Sequence, residues 1–179
     1  MNPNFSKMRF GFFFPLTFMM REIKIDTKLS IYDSVAELSE EVKILMQKAI
    51  EARIQAYAPY SKFNVGAALL LDNGQIVTGS NQENAAYPSG LCAERVAIFY
   101  AGAQYPKAKI LKIAITAGST MSVTDKPIPP CGACRQSIFE YEYKQDESIE
   151  IYFMGETGEV YKSDSIENLL PLTFDKKFL

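Results

Sequence analysis

The chain has 179 residues, 47% of them hydrophobic and 22% charged, with 19 basic against 21 acidic side chains and a formal net charge of -2. That is the composition of one soluble domain with a real core, and it lacks the cationic surplus that a polynucleotide partner would require. Histidine is absent, which excludes every mechanism built on a histidine base, Ser-His and Cys-His nucleophiles among them.

The first segment is apolar: residues 10–20 form a run of about eleven after Lys7 and Arg9, well short of the roughly 20 residues a spanning helix needs. No membrane partner is expected from it. A secretory signal would show a small-residue cleavage site, whereas Arg21, Glu22, Ile23 and Lys24 follow. Residues 1–37 are therefore read as a leader, partly disordered or upstream of a true start at Met20, and the domain is placed at 38–179.

Ser39 can cap a helix whose first turn carries Glu40 and Glu41, acids suited to the positive end of the helix dipole. Leu38, Val42, Leu45, Met46, Ala49, Ile50, Ile54 and Tyr57 recur at spacings of three and four, which makes one helical stripe. Ala58-Pro59-Tyr60 should end it, because proline disfavours the helical conformation in the residue before it. Val65–Leu71 is a nearly continuous apolar strand, Asp72-Asn73-Gly74 a hairpin turn and Gln75–Ser80 the returning strand. A helix is expected from Cys92 to Gly102, a buried strand at Ile110–Ala117 and a helix from Cys131 toward Tyr143. Strands at Ile149–Met154 and Glu159–Lys162 close the series. Strands and helices in this order imply an α/β domain, a three-layer α/β/α sandwich around one mixed sheet of five strands.

The three cysteines are Cys92, Cys131 and Cys134. An odd count does not suit a disulfide framework, and free thiols suit a reducing cytoplasm. Pro130-Cys131-Gly132-Ala133-Cys134 is the C-x-x-C spacing that folds two sulfurs to one side of a turn, and Cys92 supplies a third ligand from an earlier segment. With no fourth cysteine and no histidine, a closed four-ligand zinc site is hard to build. Three protein ligands and one open position describe a catalytic zinc, one Zn²⁺ per chain. Glu94 lies two residues after Cys92, placed to reach a zinc-activated water rather than the metal itself. Cys92 and Cys131 both sit where helices begin, so free N–H groups face their sulfurs, and Arg95 can add hydrogen bonds to a thiolate. Taken singly, these residues have plainer readings: small buried hydrophobes, a redox pair, a first-turn acid. The redox reading leaves Cys92 and Glu94 without a role.

Cys92-Ala93-Glu94-Arg95 followed by Pro130-Cys131-x-x-Cys134 resembles the zinc-deaminase signature in its three-cysteine form. Ala56-Tyr57-Ala58-Pro59-Tyr60-Ser61-Lys62-Phe63, Val65–Leu70, Asn81–Pro88 and the closing Leu169-Leu170-Pro171 with Phe174 are similar to the short cytidine deaminases, and the likeness spans roughly 39–179. It implies a cytidine deaminase-like fold and a homotetramer with sites shared between subunits. It also implies hydrolytic deamination of cytidine and deoxycytidine to uridine and deoxyuridine, with ammonia released, as in pyrimidine salvage. By the same likeness, Cys92, Cys131 and Cys134 hold zinc, Glu94 shuttles protons and the Ala93 backbone N–H meets the base carbonyl. Asn81 and Glu83 grip a ribose hydroxyl, Phe63 packs beside the base, and Phe174 covers it from a neighbouring subunit. Tyr60 and Tyr87 are expected in the aromatic lining or an interface. Pro129 departs from the Ser or Thr that relatives carry there; it keeps the backbone carbonyl and loses a hydroxyl. A same-fold deaminase acting on blasticidin S or a modified nucleoside is the nearest rival, and Asn81 with Glu83 favours cytidine over it. A zinc-stabilised scaffold without catalysis would be expected to release Glu94.

Overall fold

The computed structural model describes residues 20–179. The apolar run at 10–19, with the leader reading of those residues, lies outside them. The elements follow in the order β1 (Ser30–Tyr32), α1 (Glu40–Ile54), β2 (Phe63–Leu71), β3 (Ile76–Ser80), α2 (Ala93–Gln104), β4 (Ile110–Ser119), α3 (Gly132–Gln145), β5 (Glu150–Met154) and β6 (Val160–Ser163), with short 3-10 turns between some of them. The strands form one sheet in the order β1-β6-β5-β4-β2-β3. β4 and β5 run parallel, joined by the α3 crossover, and the other neighbours pair antiparallel.

Alternation along the central strands divides the core in two. Ala67, Leu69 and Leu71 of β2, Ile113 and Ile115 of β4, and Ile151 and Phe153 of β5 point to the face covered by α2 and α3. Ala68, Leu70, Ala114, Tyr152 and Met154 point to the opposite face, under Val42, Leu45, Met46 and Ala49 of α1. Both faces of β2 and β4 are covered, which is why their sequences read as continuous apolar runs rather than alternating ones. The three-layer α/β/α architecture expected from the element order is thus present.

Two glycines set the layer spacing. A Cβ on Gly66 would lie 2.0 Å from the Ala49 carbonyl oxygen, and one on Gly79 would lie 2.5 Å from the Ala93 carbonyl oxygen and 2.7 Å from the Ala97 nitrogen. At each position the helix backbone rests directly on the strand, and Gly79 seats the first turn of α2.

The sheet has six strands, one more than expected. The extra strand is β1, within the segment read as leader, and Ser30, Ile31 and Tyr32 pair with Lys162, Tyr161 and Val160. A three-residue edge strand is too short to show a period, and its pairing is with the far end of the chain. Helix α1 also stops before Ala58-Pro59. Gln55 is its C-cap, and the chain leaves the helix to make backbone bonds from Tyr57 N–H to Asn81 O at 3.0 Å and from Glu83 N–H to Tyr57 O at 2.9 Å. Tertiary pairing ends the helix before proline can.

Candidate metal centre and adjoining cleft

Cys92 and Cys131 occupy the same station on two helices. Each is the N-cap, in extended conformation, and neither side chain caps its helix. Their sulfurs are left to face each other at 3.8 Å, and Cys131 and Cys134 sulfurs lie 3.5 Å apart. All three fall within 4.8 Å of one another, the one such three-ligand cluster among the described residues. A tetrahedral zinc with Zn–S bonds of about 2.3 Å separates its sulfurs by about 3.8 Å, so the thiols already stand at the spacing the metal requires. Cys134 is buried and Cys131 exposed, which leaves the cluster open on one side. The donor set fits zinc with one free position.

The cluster's electrostatics agree. The hydrogen bond from Cys134, and then those from Arg95 and Cys131, hold the Cys92 thiol down to about 5 against the burial that raises it. The hydrogen bond shared with Cys92, together with burial, pushes Cys134 up. The cluster therefore favours the anionic sulfur at Cys92, the form a cation binds. The Arg95 guanidinium Nη2 stands 3.9 Å from the Cys92 sulfur. Its Nε is the one buried side-chain polar atom without a partner among the described residues. The first N–H groups of α2 and α3 have no intrahelical acceptor, so partial positive charge gathers on the same spot.

Glu94 is 4% exposed. Burial raises its carboxyl above the ordinary range, and the Cys92 charge adds to that. It lines a cleft of about 610 Å³ together with Cys92, Cys131, Ile115, Pro129, Phe63, Asn81, Glu83 and Tyr87. A cavity of that size suits a small molecule. Ala93 is fully buried at the first position of α2 and contributes only backbone there.

In the same cleft, Asn81 braces the start of β2 and Glu83 the loop before it. The Asn81 amide accepts from Val65 N–H at 2.8 Å and donates to Phe63 O at 3.0 Å. Glu83 accepts from the N–H groups of Tyr60 and Ser61 at 3.0 and 3.2 Å and from the Ser61 hydroxyl. The Ser61 hydroxyl, and then these backbone bonds, keep the Glu83 carboxyl below the ordinary range. Of the residues singled out in the sequence, Cys92, Cys131, Glu94, Arg95, Phe63, Asn81, Glu83, Tyr60, Tyr87 and Pro129 converge on this one cleft. Cys134 lies behind its sulfur partners. Phe174 does not line the cleft of its own chain; it is half-exposed and stacks on Phe178 at 5.7 Å between ring centroids.

Arg135 and Gln136, which follow Cys134 in the first turn of α3, tie the metal turn to the chain's end. Arg135 donates to Pro130 O at 2.8 Å and Leu169 O at 2.7 Å, and Gln136 donates to Phe174 O at 3.0 Å. Ser61 was not singled out, although it stands in the Tyr60-Ser61-Lys62-Phe63 stretch. A serine in a loop carries no signal until its partners are known.

Residues 39–146 match the family described as the cytidine and deoxycytidylate deaminase zinc-binding region. A cytidine deaminase of Halalkalibacterium halodurans is 46% identical over 98 residues, 55% of this chain and 70% of that protein. One from Sporosarcina psychrophila is 39% identical over 139 residues, 78% of this chain and 95% of that protein. The crystal structure of a cytidine deaminase from Burkholderia pseudomallei superposes with a TM-score of 0.64 at 36% identity, covering 76% of this chain and all of the other.

Proposed function

The chain belongs to the cytidine and deoxycytidylate deaminase zinc-binding family, and from that premise we propose that it hydrolyses the exocyclic C–N bond of cytidine and deoxycytidine. The products are uridine or deoxyuridine and ammonia. The observation that carries this is Glu94, a buried carboxylic acid at the end of an apolar cleft, beside three sulfurs spaced for one zinc.

Cys92, Cys131 and Cys134 would hold the zinc, which when bound supplies a Lewis acid that makes water nucleophilic near neutral pH. Glu94 moves the protons. It takes one from the attacking water and passes it to the ring nitrogen N3, so that oxygen can add at C4. It takes the second and delivers it to the amino group, which leaves as ammonia while the C4 carbonyl forms. A carboxyl raised by burial suits this task, because it must hold a proton and release it again at neutral pH. The Ala93 N–H, at the start of α2 with no intrahelical acceptor, is suited to the base carbonyl. Phe63 and Tyr87 supply aromatic surface for the base and the cleft mouth. Asn81 and Glu83 take the ribose hydroxyls, a carboxylate accepting and an amide both donating and accepting. Arg95 steadies the Cys92 thiolate.

We further read the enzyme as a homotetramer. Phe174 stands outside the cleft of its own chain, and Phe99, Tyr100 and Met121 are exposed, apolar surface that neighbouring subunits would cover. A reducing compartment, the cytoplasm, suits three free thiols. Among the described residues no helix is long and apolar enough to cross a membrane. Residues 38–179 would form the catalytic domain, with β1 added along its edge.

Zinc content measured alongside the ultraviolet change of cytidine turnover tests the proposal. One zinc per chain with uridine formed supports it. Zinc with no turnover of cytidine or deoxycytidine would move the activity to another amine, and a folded, metal-supplied chain with neither would end it.

A further inference from the structure

Ser61 sits at the junction of the contacts that link Glu83 to the start of β2. Its hydroxyl donates to one oxygen of Glu83, and its N–H and that of Tyr60 donate to the other. The same hydroxyl oxygen accepts from Phe63 N–H at 3.1 Å. Between them Lys62 takes a left-handed conformation, φ 58°, one that non-glycine residues adopt only where the surroundings hold them. Lys62 is held from both ends, its N–H bonded to Ala58 O at 3.2 Å and its carbonyl to Thr120 N–H at 3.0 Å. The result is a tight hook that presents the Phe63 ring and the Glu83 carboxylate to one cleft.

A carboxylate on an exposed segment would otherwise rotate. The serine hydroxyl engages one Glu83 oxygen and two backbone donors the other, so the oxygen that the Ser61 hydroxyl engages keeps a lone pair for an incoming hydroxyl. Ser61 touches the carboxylate that would meet the ribose without needing to touch the substrate.

We propose that Ser61 is a positioning residue that orients Glu83 toward the ribose hydroxyls and, through Phe63 N–H, fixes the distance between the sugar and base ends of the cleft. This rests on the deaminase reading of the site. Its consequence is selectivity: the enzyme favours a ribose bearing hydroxyls because Ser61 holds Glu83 in place. Removing the hydroxyl should blunt that preference more than it slows chemistry at the base.

The test compares cytidine with 2′,3′-dideoxycytidine, which lacks the hydroxyls Glu83 would accept, in the zinc-loaded enzyme. Loss of a hydrogen bond to a charged group costs about tenfold in discrimination. In Ser61→Ala the ratio of kcat/KM for the two substrates should therefore fall by about that factor, mostly through KM for cytidine, with kcat on dideoxycytidine retained. Ser61→Thr, which restores the hydroxyl, should recover most of the ratio. In a Glu83→Gln background, Ser61→Ala should change the ratio little, because the two residues act on one contact. Equal losses on both substrates would overturn the proposal and make Ser61 a general structural residue, as would an unchanged ratio. Failure of the unaltered enzyme to deaminate cytidine would overturn the deaminase reading and this inference with it. A cytidine-active enzyme with an unchanged ratio in Ser61→Ala overturns this inference alone.

Discussion

Glu94 at the start of α2 and Glu142 near the end of α3 are buried to nearly the same degree, 4% and 8% exposed, yet their surroundings differ. Glu142 accepts from Ile149 N–H at 2.8 Å, from Ile166 N–H at 3.1 Å and from the Ser165 hydroxyl. It pins the approach to β5 and the turn after β6 to the helix. Glu94 has no such ring of backbone donors from other elements; it faces a cleft and a cluster of thiols. A buried carboxylate surrounded by donors is part of the framework. One left facing open space beside a metal site is available for chemistry, because desolvation without matching donors raises its affinity for a proton.

Substitutions at the two acids should separate these roles. Glu94→Gln is expected to lower kcat by about three orders of magnitude, the usual worth of a positioned proton-transfer group, with zinc content and melting temperature preserved. Normal turnover would end the proton-shuttle role. Glu142→Ala should do the reverse. Leaving two backbone N–H groups buried without an acceptor costs about 3 kcal/mol, seen as an earlier denaturation midpoint, while the folded fraction keeps its kcat.

The glycines sharpen the contrast between faces. Gly66→Ala and Gly79→Ala should each destabilise the fold by about 2 kcal/mol, since a methyl must displace helix backbone. Only Gly79→Ala should also weaken zinc binding, because it moves the turn of α2 that carries Cys92 and Glu94. A chelator competition with both variants reads this directly, and equal zinc affinity would detach the metal site from the helix seat. The smallest effect is expected at Ser39→Ala. It removes the hydroxyl that accepts from Val42 N–H at 3.4 Å and should cost about 1 kcal/mol with no change in activity. Helix α1 is capped by a serine, whereas α2 and α3 carry cysteine at that station and direct their free N–H groups at the sulfurs.

Much of this was legible in the residues. Cys92, Glu94, Cys131 and Cys134 announce themselves through spacing and through the absence of any fourth ligand. The helix and strand periods of α1, β2 and β4 are long enough to read locally. What escaped depends on distant partners. β1 is three residues long and is defined by β6. Glu142 looks like any exposed helix acid until Ile149 and Ile166 turn their N–H groups toward it. Ser61 and the early end of α1 follow from backbone and side-chain bonds between residues 57–63 and 81–83, two segments that meet only in the folded sheet. The local signals were sufficient to bring the three sulfurs and Glu94 into one place and insufficient for the contacts around Glu83.

The placement of β1 carries a consequence for biosynthesis. Its partner strand leaves the ribosome about 130 residues after it, an interval of roughly ten seconds at ordinary elongation rates. For that time the stretch holding Ile25, Leu29 and Ile31 is an edge without a neighbour, the kind of surface that recruits other nascent chains. Lys24, Asp26 and Lys28 are interleaved with those apolar residues, and charges so placed discourage pairing with a stranger. β1 cannot take its place in the sheet before β6 is made, and the interleaved charges keep its segment polar until then.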